Sequence, residues 1–343
     1  MTVSAADSVV VIGAGVAGLA CAQALSAGGA PVVVLERARG VGGRCATRRV
    51  EGQPIDFGVT FLHGRDPAFL AALAGVPARA LPGWPSIIRG TGRPCQPDVF
   101  AEGEQRLALA EGLSAFPKHL AHGIAVRTGA RVTALAVEGA SVRLQVEGSE
   151  PVTTRTAVLA LALEQAIGLL DPLAGHSPGV DSARALLRMN SSQPCLSVLA
   201  CYDRTTTAPP WHVCYPEESE AIQIITHDSS KRDRPSFLAL VIQAHARWSR
   251  EHLDDDAWPA ALLAEAGRLL GPWAASPVSH HAHRWRHART DRGAELTAPL
   301  LLRLPGGARL GVAGELFAPG GGVEAAWLSG RALARRILAE GDG

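Results

Sequence analysis

Gly13, Gly15 and Gly18 are spaced as G-x-G-x-x-G, and Glu36 stands where a second strand would end. Such a set can cradle a dinucleotide. The first glycine makes a tight turn, the second lets backbone approach a pyrophosphate, and the third lets a helix pack against its strand. The acidic residue then takes the ribose hydroxyls. Val16 and Ala17 would open that helix, so their amides and the helix dipole would face the phosphates. A second glycine cluster follows at residues 39–44, reading R-G-x-G-G-R and containing Gly42, Gly43 and Arg44.

These residues need a frame, and the chain supplies one. Val9, Val10, Val11 and Ile12 have the unbroken β-branched character of a strand buried on both faces, a helix is expected over 16–26, and a second strand over 31–35. A short strand over 55–57 ends at Gly58. Residues 67–105 are rich in proline and glycine, with a short helix over 67–73, and a helix over 114–122 has Ser114 as its N-cap. Alternation over 132–136 and 142–146 across Glu138, Gly139 and Ala140 reads as a hairpin, followed by a buried strand over 156–163. Strands are expected over 196–202, 222–226 and 237–243. A helix is expected over 255–270, capped by Asp254 or Asp255 and stopped by Gly271 and Pro272. A strand over 310–315 and a helix opening at 323 complete the chain. The fold class implied is α/β, a Rossmann-like dinucleotide-binding domain joined to a second, mixed-sheet α+β domain.

At 343 residues the chain exceeds a comfortable single core, so two lobes are expected. A formal net charge of +1 with interspersed signs gives no nucleic-acid or membrane surface. Residues 8–35 carry no charge, but the three glycines, Gly28, Gly29 and Pro31 break that stretch into strand, helix and strand rather than a membrane span. No signal peptide is visible, so a soluble, cytoplasmic protein is expected. The basic residues are nearly all arginine; the lysines are Lys118 and Lys231. Six cysteines form no C-x-x-C pair or zinc spacing and read as reduced, mostly buried residues. The histidines at 280, 281, 283 and 287 would alternate between strand faces without acidic or cysteine partners nearby, so no metal site is expected.

The fingerprint followed by R-G-x-G-G-R resembles the flavin-containing amine oxidase superfamily. That resemblance implies non-covalent FAD as cofactor, and an amine oxidase/p-hydroxybenzoate hydroxylase-like arrangement of two lobes. The FAD-binding domain would comprise residues 1–60, 106–185 and 306–343, and the substrate domain residues 61–105 and 186–305. By the same resemblance Arg37 would lie near the adenosine, and Gly42, Gly43 and Arg44 near the pyrophosphate and flavin. Gly58 would belong to a run that passes close to the flavin. Val132 would offer its backbone to the adenine, Ala160 and Ala162 would pass the FAD or serve as core, and Gly314 and Glu315 would reach ribityl or phosphate oxygens. Val323, Glu324 and Ala325 would open a helix toward the flavin's N1 and O2 edge.

Asp56, Gly58, Arg65 and Asp66, the stretches 248–253 and 283–289, and residues 323–330 are similar to the renalase branch as it occurs in bacteria, whereas Val59, Thr60, Leu62 and His63 depart from it. The resemblance implies oxidation of 2- or 6-dihydro isomers of NAD(P)H to NAD(P)+, with electrons passed to O2 to form hydrogen peroxide. A substrate that becomes a pyridinium on losing hydride needs no general base, so catalysis reduces to orientation and electrostatics. Lys231 and arginines of the second lobe could bind its phosphates, and His63, Lys231, Gln243, His245 and Trp285 are the candidate catalytic or pocket residues. Ordinary amine oxidases carry an aromatic residue two positions before the glutamate of the last helix; that position is Gly322 here, and Tyr202 and Tyr215 are the chain's tyrosines. The alternatives are an amine oxidase, or a pathway-specific oxidoreductase or dehydrogenase for another small molecule. Covalent flavin attachment would have only Cys45 as a nearby thiol, and the protein would be a monomer or homodimer.

Overall fold

The computed structural model describes residues 8–91 and 99–340; Cys95 lies outside them. By contacts the chain divides into two units, residues 1–43, 116–192 and 289–343 in one and residues 44–115 and 193–288 in the other. Stretches 44–60 and 106–115, expected with the FAD-binding domain, fall in the second unit because Asp56 and Leu113 are hydrogen-bonded into its buried network. Residues 289–305 and 186–192 fall in the first.

The first unit is built on a six-stranded sheet in the order Leu300–Arg303, Arg309–Val312, Thr156–Leu159, Val9–Ile12, Val32–Glu36, Ala125–Thr128. All neighbours are parallel except the first pair, which forms an antiparallel edge hairpin. The central strand, Val9–Ile12, is buried along its whole length, as its four β-branched residues require. Helices Val16–Ala27 and Gly322–Ala339 approach so closely that a Cβ on Gly330 would overlap the Ala17 carbonyl oxygen. The expected hairpin forms as Val132–Glu138 paired with Ser141–Val146, and Gly139 in the left-handed region makes its turn. The strand expected over 156–163 stops at Leu159, since the chain turns at Ala160 beside the Gly13 turn and Ala162 caps helix Leu163–Leu170. Likewise the strand expected over 310–315 ends at Val312, and Glu315 opens a 3-10 turn.

The second unit carries a six-stranded sheet in the order Ser279–Thr290, Ser192–Tyr202, Leu238–Ala244, Ile222–His227, Val213–Cys214, Ile88–Arg89. Helix Trp258–Leu270 covers one face, burying Trp258, Leu262 and Ala266 against Leu196, Val198, Leu240 and Ile242. It begins three residues later than expected. The Asp255 carboxylate accepts from the Ala257 amide at 2.8 Å in a turn outside the helix, and Pro259 then occupies the first turn. The helix expected over 114–122 spans Ala115–Leu120. Among the described residues no helix is long and apolar enough to cross a membrane.

Candidate active site

In the first unit the fingerprint glycines each do a different job. Gly13 has φ +104°, its amide donates to Leu35 O at 2.8 Å, and a Cβ there would overlap the Ala160 carbonyl oxygen. A Cβ on Gly18 would overlap Gly13 O and stand 3.0 Å from the Ala160 side chain, so helix and strand lie in backbone contact. Gly15 differs: its φ of −75° suits any residue, and a Cβ there would meet nothing within 4 Å. The helix beginning at Val16 has no side-chain cap and no acidic residue in its first turn. An open surface at Gly15, in front of uncapped helix amides, fits a pyrophosphate.

Glu36 closes the same cradle. Its carboxylate accepts from the Ala14 amide at 2.7 Å and the Ala38 amide at 2.8 Å, which fixes it at the strand end beside the glycine turn. Arg37 is exposed and, with the Gln165 amide oxygen turned toward it, donates to that oxygen at 3.0 and 3.2 Å. The Gly42 amide donates to Ala14 O at 2.8 Å, and Gly43 lies against Gly15. Val132 starts its strand half-buried opposite Val146. The Gly314 amide donates to Ser329 Oγ at 3.1 Å, and Glu315, buried, accepts from the Thr290 amide at 2.9 Å. Gly320, Gly321 and Gly322 have φ of +84°, +62° and +74°, and they deliver the chain to Val323, Glu324 and Ala325 at the start of the last helix without a side-chain cap.

In the second unit the organising group is Lys231, whose side chain is fully buried. Its Nζ donates to Asp56 Oδ2 at 2.7 Å, Asp228 Oδ1 at 2.7 Å and the Thr60 carbonyl at 2.8 Å. An ammonium has three donors, and here all three are used by the protein. The expectation that Lys231 binds substrate phosphates is therefore corrected. Asp56 Oδ1 accepts from Thr47 Oγ1 at 2.6 Å and the Leu113 amide at 2.8 Å, and Arg232 Nη1 lies 2.6 Å from Asp228 Oδ2. Two cations and two anions thus balance one another in a buried cluster.

Gln243 and Trp285 also act on the neighbouring backbone. Gln243 Nε2 donates to Gly58 O at 2.7 Å and its Oε1 accepts from Thr60 Oγ1 at 3.3 Å, while Trp285 Nε1 donates to Phe57 O at 3.1 Å. A Cβ on Gly58 would overlap Arg44 O and crowd the Trp285 ring, so glycine is required by close approach. Arg44 Nη1 donates to Ala288 O at 3.0 Å. Trp285 stacks on Phe57 with centroids 5.4 Å apart, and His283 lies 4.1 Å from Trp285. Burial and the Arg48 guanidinium hold His283 below its ordinary value.

His63 stands apart from this group. Its Nδ1 is 2.6 Å from Glu104 Oε1, and Arg65 Nε donates to Glu104 Oε2 at 3.1 Å; the Glu104 side chain is 4% exposed and the His63 ring 21%. A carboxylate at Nδ1 fixes one tautomer and presents Nε2, the arrangement that suits a proton acceptor. Sequence reading picked out His63 but missed Glu104, which is 41 positions away and carries no local motif. His245 caps the short helix Ala246–Glu251, its amide donating to Ala221 O at 2.8 Å. The Cys45 thiol is buried and pushed up to about 12 by that burial, so it is a poor nucleophile. Among the described residues no group of histidines, cysteines and carboxylates has a metal-binding arrangement.

Comparison with known proteins gives this cradle its context. Residues 11–74 match the NAD(P)-binding Rossmann-like domain, and residues 95–338, well over half of the chain, match the model for flavin containing amine oxidoreductase. Polyamine oxidase 4 of Oryza sativa subsp. japonica is 51% identical over 57 residues, a stretch that covers 17% of this chain and only 12% of that relative. Among solved structures, putrescine oxidase bound to putrescine superposes with a TM-score of 0.71 at 16% identity, covering 97% of this chain and 99% of the other. Cyclohexylamine oxidase from Brevibacterium oxydans IH-35A gives 0.70 at 16% identity, covering 98% and 100%. At that identity the likeness establishes the two-lobe fold alone. With the Rossmann-like cradle described above and a family match across most of its length, the chain belongs to the flavin-containing amine oxidoreductase family, whose cofactor is FAD.

Proposed function

We propose that this protein is an FAD-dependent oxidase of the renalase type, which oxidises 2- or 6-dihydro isomers of NAD(P)H to NAD(P)+. Bound FAD would supply an acceptor for hydride at N5 and pass two electrons to O2, giving hydrogen peroxide. The cradle at Gly13, Gly15, Gly18 and Glu36 would hold the cofactor, and the open surface over Gly15 would receive its pyrophosphate. The observation that carries the substrate reading is Gly322. It is the last of three successive glycines with positive φ, a backbone that an aromatic L-residue adopts only under strain. The ring that ordinary amine oxidases place there is absent, which favours a substrate needing orientation rather than an aromatic cage. Loss of hydride from a dihydronicotinamide yields an aromatic cation with no proton to remove, so the site needs no base.

A second reading, oxidation of an amine, draws support from the His63–Glu104 pair. An ammonium must lose a proton before its carbon gives up hydride, and His63 Nε2 would take that proton while buried Glu104 holds the ring. Anaerobic stopped-flow bleaching of the flavin band separates the two. Fast bleaching by a dihydronicotinamide isomer with NAD(P)+ as product supports the first reading. Bleaching by amines alone, slowed in Glu104→Gln, replaces it with the second.

A further inference from the structure

We propose that Ser329 is a positioning residue for the cofactor: from inside the last helix its hydroxyl holds the turn at Gly314, a second point of close approach beside the glycine cradle. This rests on the reading that FAD occupies that cradle, and every residue involved belongs to the first unit.

Three parallel strands of that unit end side by side. Ile12 is in register with Leu159, and Leu159 with Val312. The Ala160 amide donates to Ile12 O at 2.9 Å and the Ala313 amide to Leu159 O at 3.0 Å, so the chain leaves the sheet at Gly13, Ala160 and Ala313 along one row. In an open parallel sheet, ligands lie across the carboxyl ends of the strands. Gly314 comes directly after that row, and Leu161 spans the distance to Gly13. The Leu161 Cδ2 stands 3.0 Å from the position of a Cβ on Gly13, and its carbonyl oxygen 3.9 Å from that of a Cβ on Gly314.

Among the described residues nothing calls for glycine at 314. Its φ of 167° is extended backbone open to any residue, and a Cβ there would meet nothing closer than 3.9 Å. Gly13 and Gly18 are required by overlap, whereas Gly314 shares the signature of Gly15, a glycine facing open space. The turn is nevertheless held in place. The Gly314 amide donates to Ser329 Oγ at 3.1 Å, and Gly314 O accepts from the Phe317 amide at 3.1 Å. Ser329 is 1% exposed within helix Gly322–Ala339, where alanine would be the better helix former and a buried hydroxyl is costly unless bonded. Gly314 is only half-buried, so solvent could serve its amide. A buried serine that reaches it instead fixes the direction of the turn leading into Glu315. The next residue, Gly330, seats the same helix against Ala17 O of helix Val16–Ala27. One helical turn thus ties Gly314 to the helix whose uncapped amides would face the pyrophosphate.

The test uses purified Ser329→Ala, Ser329→Cys, Gly314→Ala and Ile337→Val proteins, stripped of flavin and titrated with FAD by flavin fluorescence, with hydrogen exchange followed at the Gly314 amide. FAD binding is expected to weaken about fivefold or more in both Ser329 variants, which lose the oxygen acceptor, and in Gly314→Ala, whose Cβ enters the open space. Gly314 exchange should speed in the Ser329 variants, and bound FAD should slow it in wild type. Ile337→Val, a small loss of packing in the same helix, should bind FAD like wild type. Wild-type FAD affinity in both Ser329 variants, even with faster Gly314 exchange, would overturn the proposal, since the bond would then serve stability alone. Ile337→Val weakening FAD as much as Ser329→Ala would overturn it as well. If the Ser329 variants do not fold, Gly314→Ala decides, and unchanged FAD affinity there counts equally against the proposal. Gly15→Ala, titrated alongside, reports on the cradle reading by itself, because it touches neither Gly314 nor Ser329.

Discussion

Substituting Gly15 by alanine separates the folding role of the fingerprint from its binding role. The residue has φ −75° and ψ 177°, a conformation alanine adopts freely, and a Cβ there meets no heavy atom within 4 Å. The apoprotein should therefore fold normally, and the reduced freedom of the unfolded chain should stabilise it by about 0.4–1 kcal/mol. The empty space around that Cβ is the space assigned to the pyrophosphate. Overpacking of a close-fitting site costs about 1–3 kcal/mol, which corresponds to FAD affinity weakened roughly 5- to 150-fold. Gly18→Ala should behave oppositely, because its Cβ would overlap Gly13 O and crowd Ala160; apoprotein stability itself should fall by about 1–3 kcal/mol. Chemical denaturation of both apoproteins and fluorescence titration with FAD would measure the two quantities. A Gly15→Ala protein that binds FAD like wild type would mean that the phosphates do not cross Gly15, and the cradle argument would fail.

Other perturbations have equally definite signs. Gly330→Ala should destabilise by about 1–3 kcal/mol, since its Cβ would overlap Ala17 O between the first and last helices. Gly168→Ala, exposed in helix Leu163–Leu170 with nothing within 4 Å, should stabilise by about 0.5–1 kcal/mol; denaturant melts of the pair test both. Asp56→Asn leaves a buried ammonium with one anionic partner fewer and should cost about 3–5 kcal/mol by the same assay, a loss near zero showing that Asp56 is not the needed counter-charge. His227, His281 and His283 are all held below the ordinary 6.5, chiefly by burial, so the unfolded chain binds more protons than the folded one just below that pH. Stability should be full above about pH 7 and fall as pH drops through 6.5, flattening once the folded-state values are passed. A melting temperature that does not move between pH 7.5 and 5 contradicts this, and His227→Gln should make the profile shallower.

The dinucleotide cradle was legible because its causes are local. A β-branched run, three glycines at fixed spacing and an acid at the next strand end each act within a few residues, and the structure forms strand, turn, helix and strand in that order. Errors came where a side chain was used by something other than the element it flanks. The sequence offers Asp254 or Asp255 as the helix cap, but the Asp255 carboxylate closes a turn two residues on. Lys231 shows the deeper limit. Its partners Asp56 and Thr60 lie 175 and 171 positions away, so neither its burial nor its three acceptors has a local signature. Sequence nevertheless held two hints: an aspartate three residues earlier, and a lysine in a chain that otherwise writes its cations as arginine. A cation's availability to substrate depends on how many of its donors the protein leaves unused, and Lys231 leaves none. Any phosphate on the substrate must therefore be met by other groups, since this lysine ties Asp56, Thr60 and Asp228 together inside its own unit.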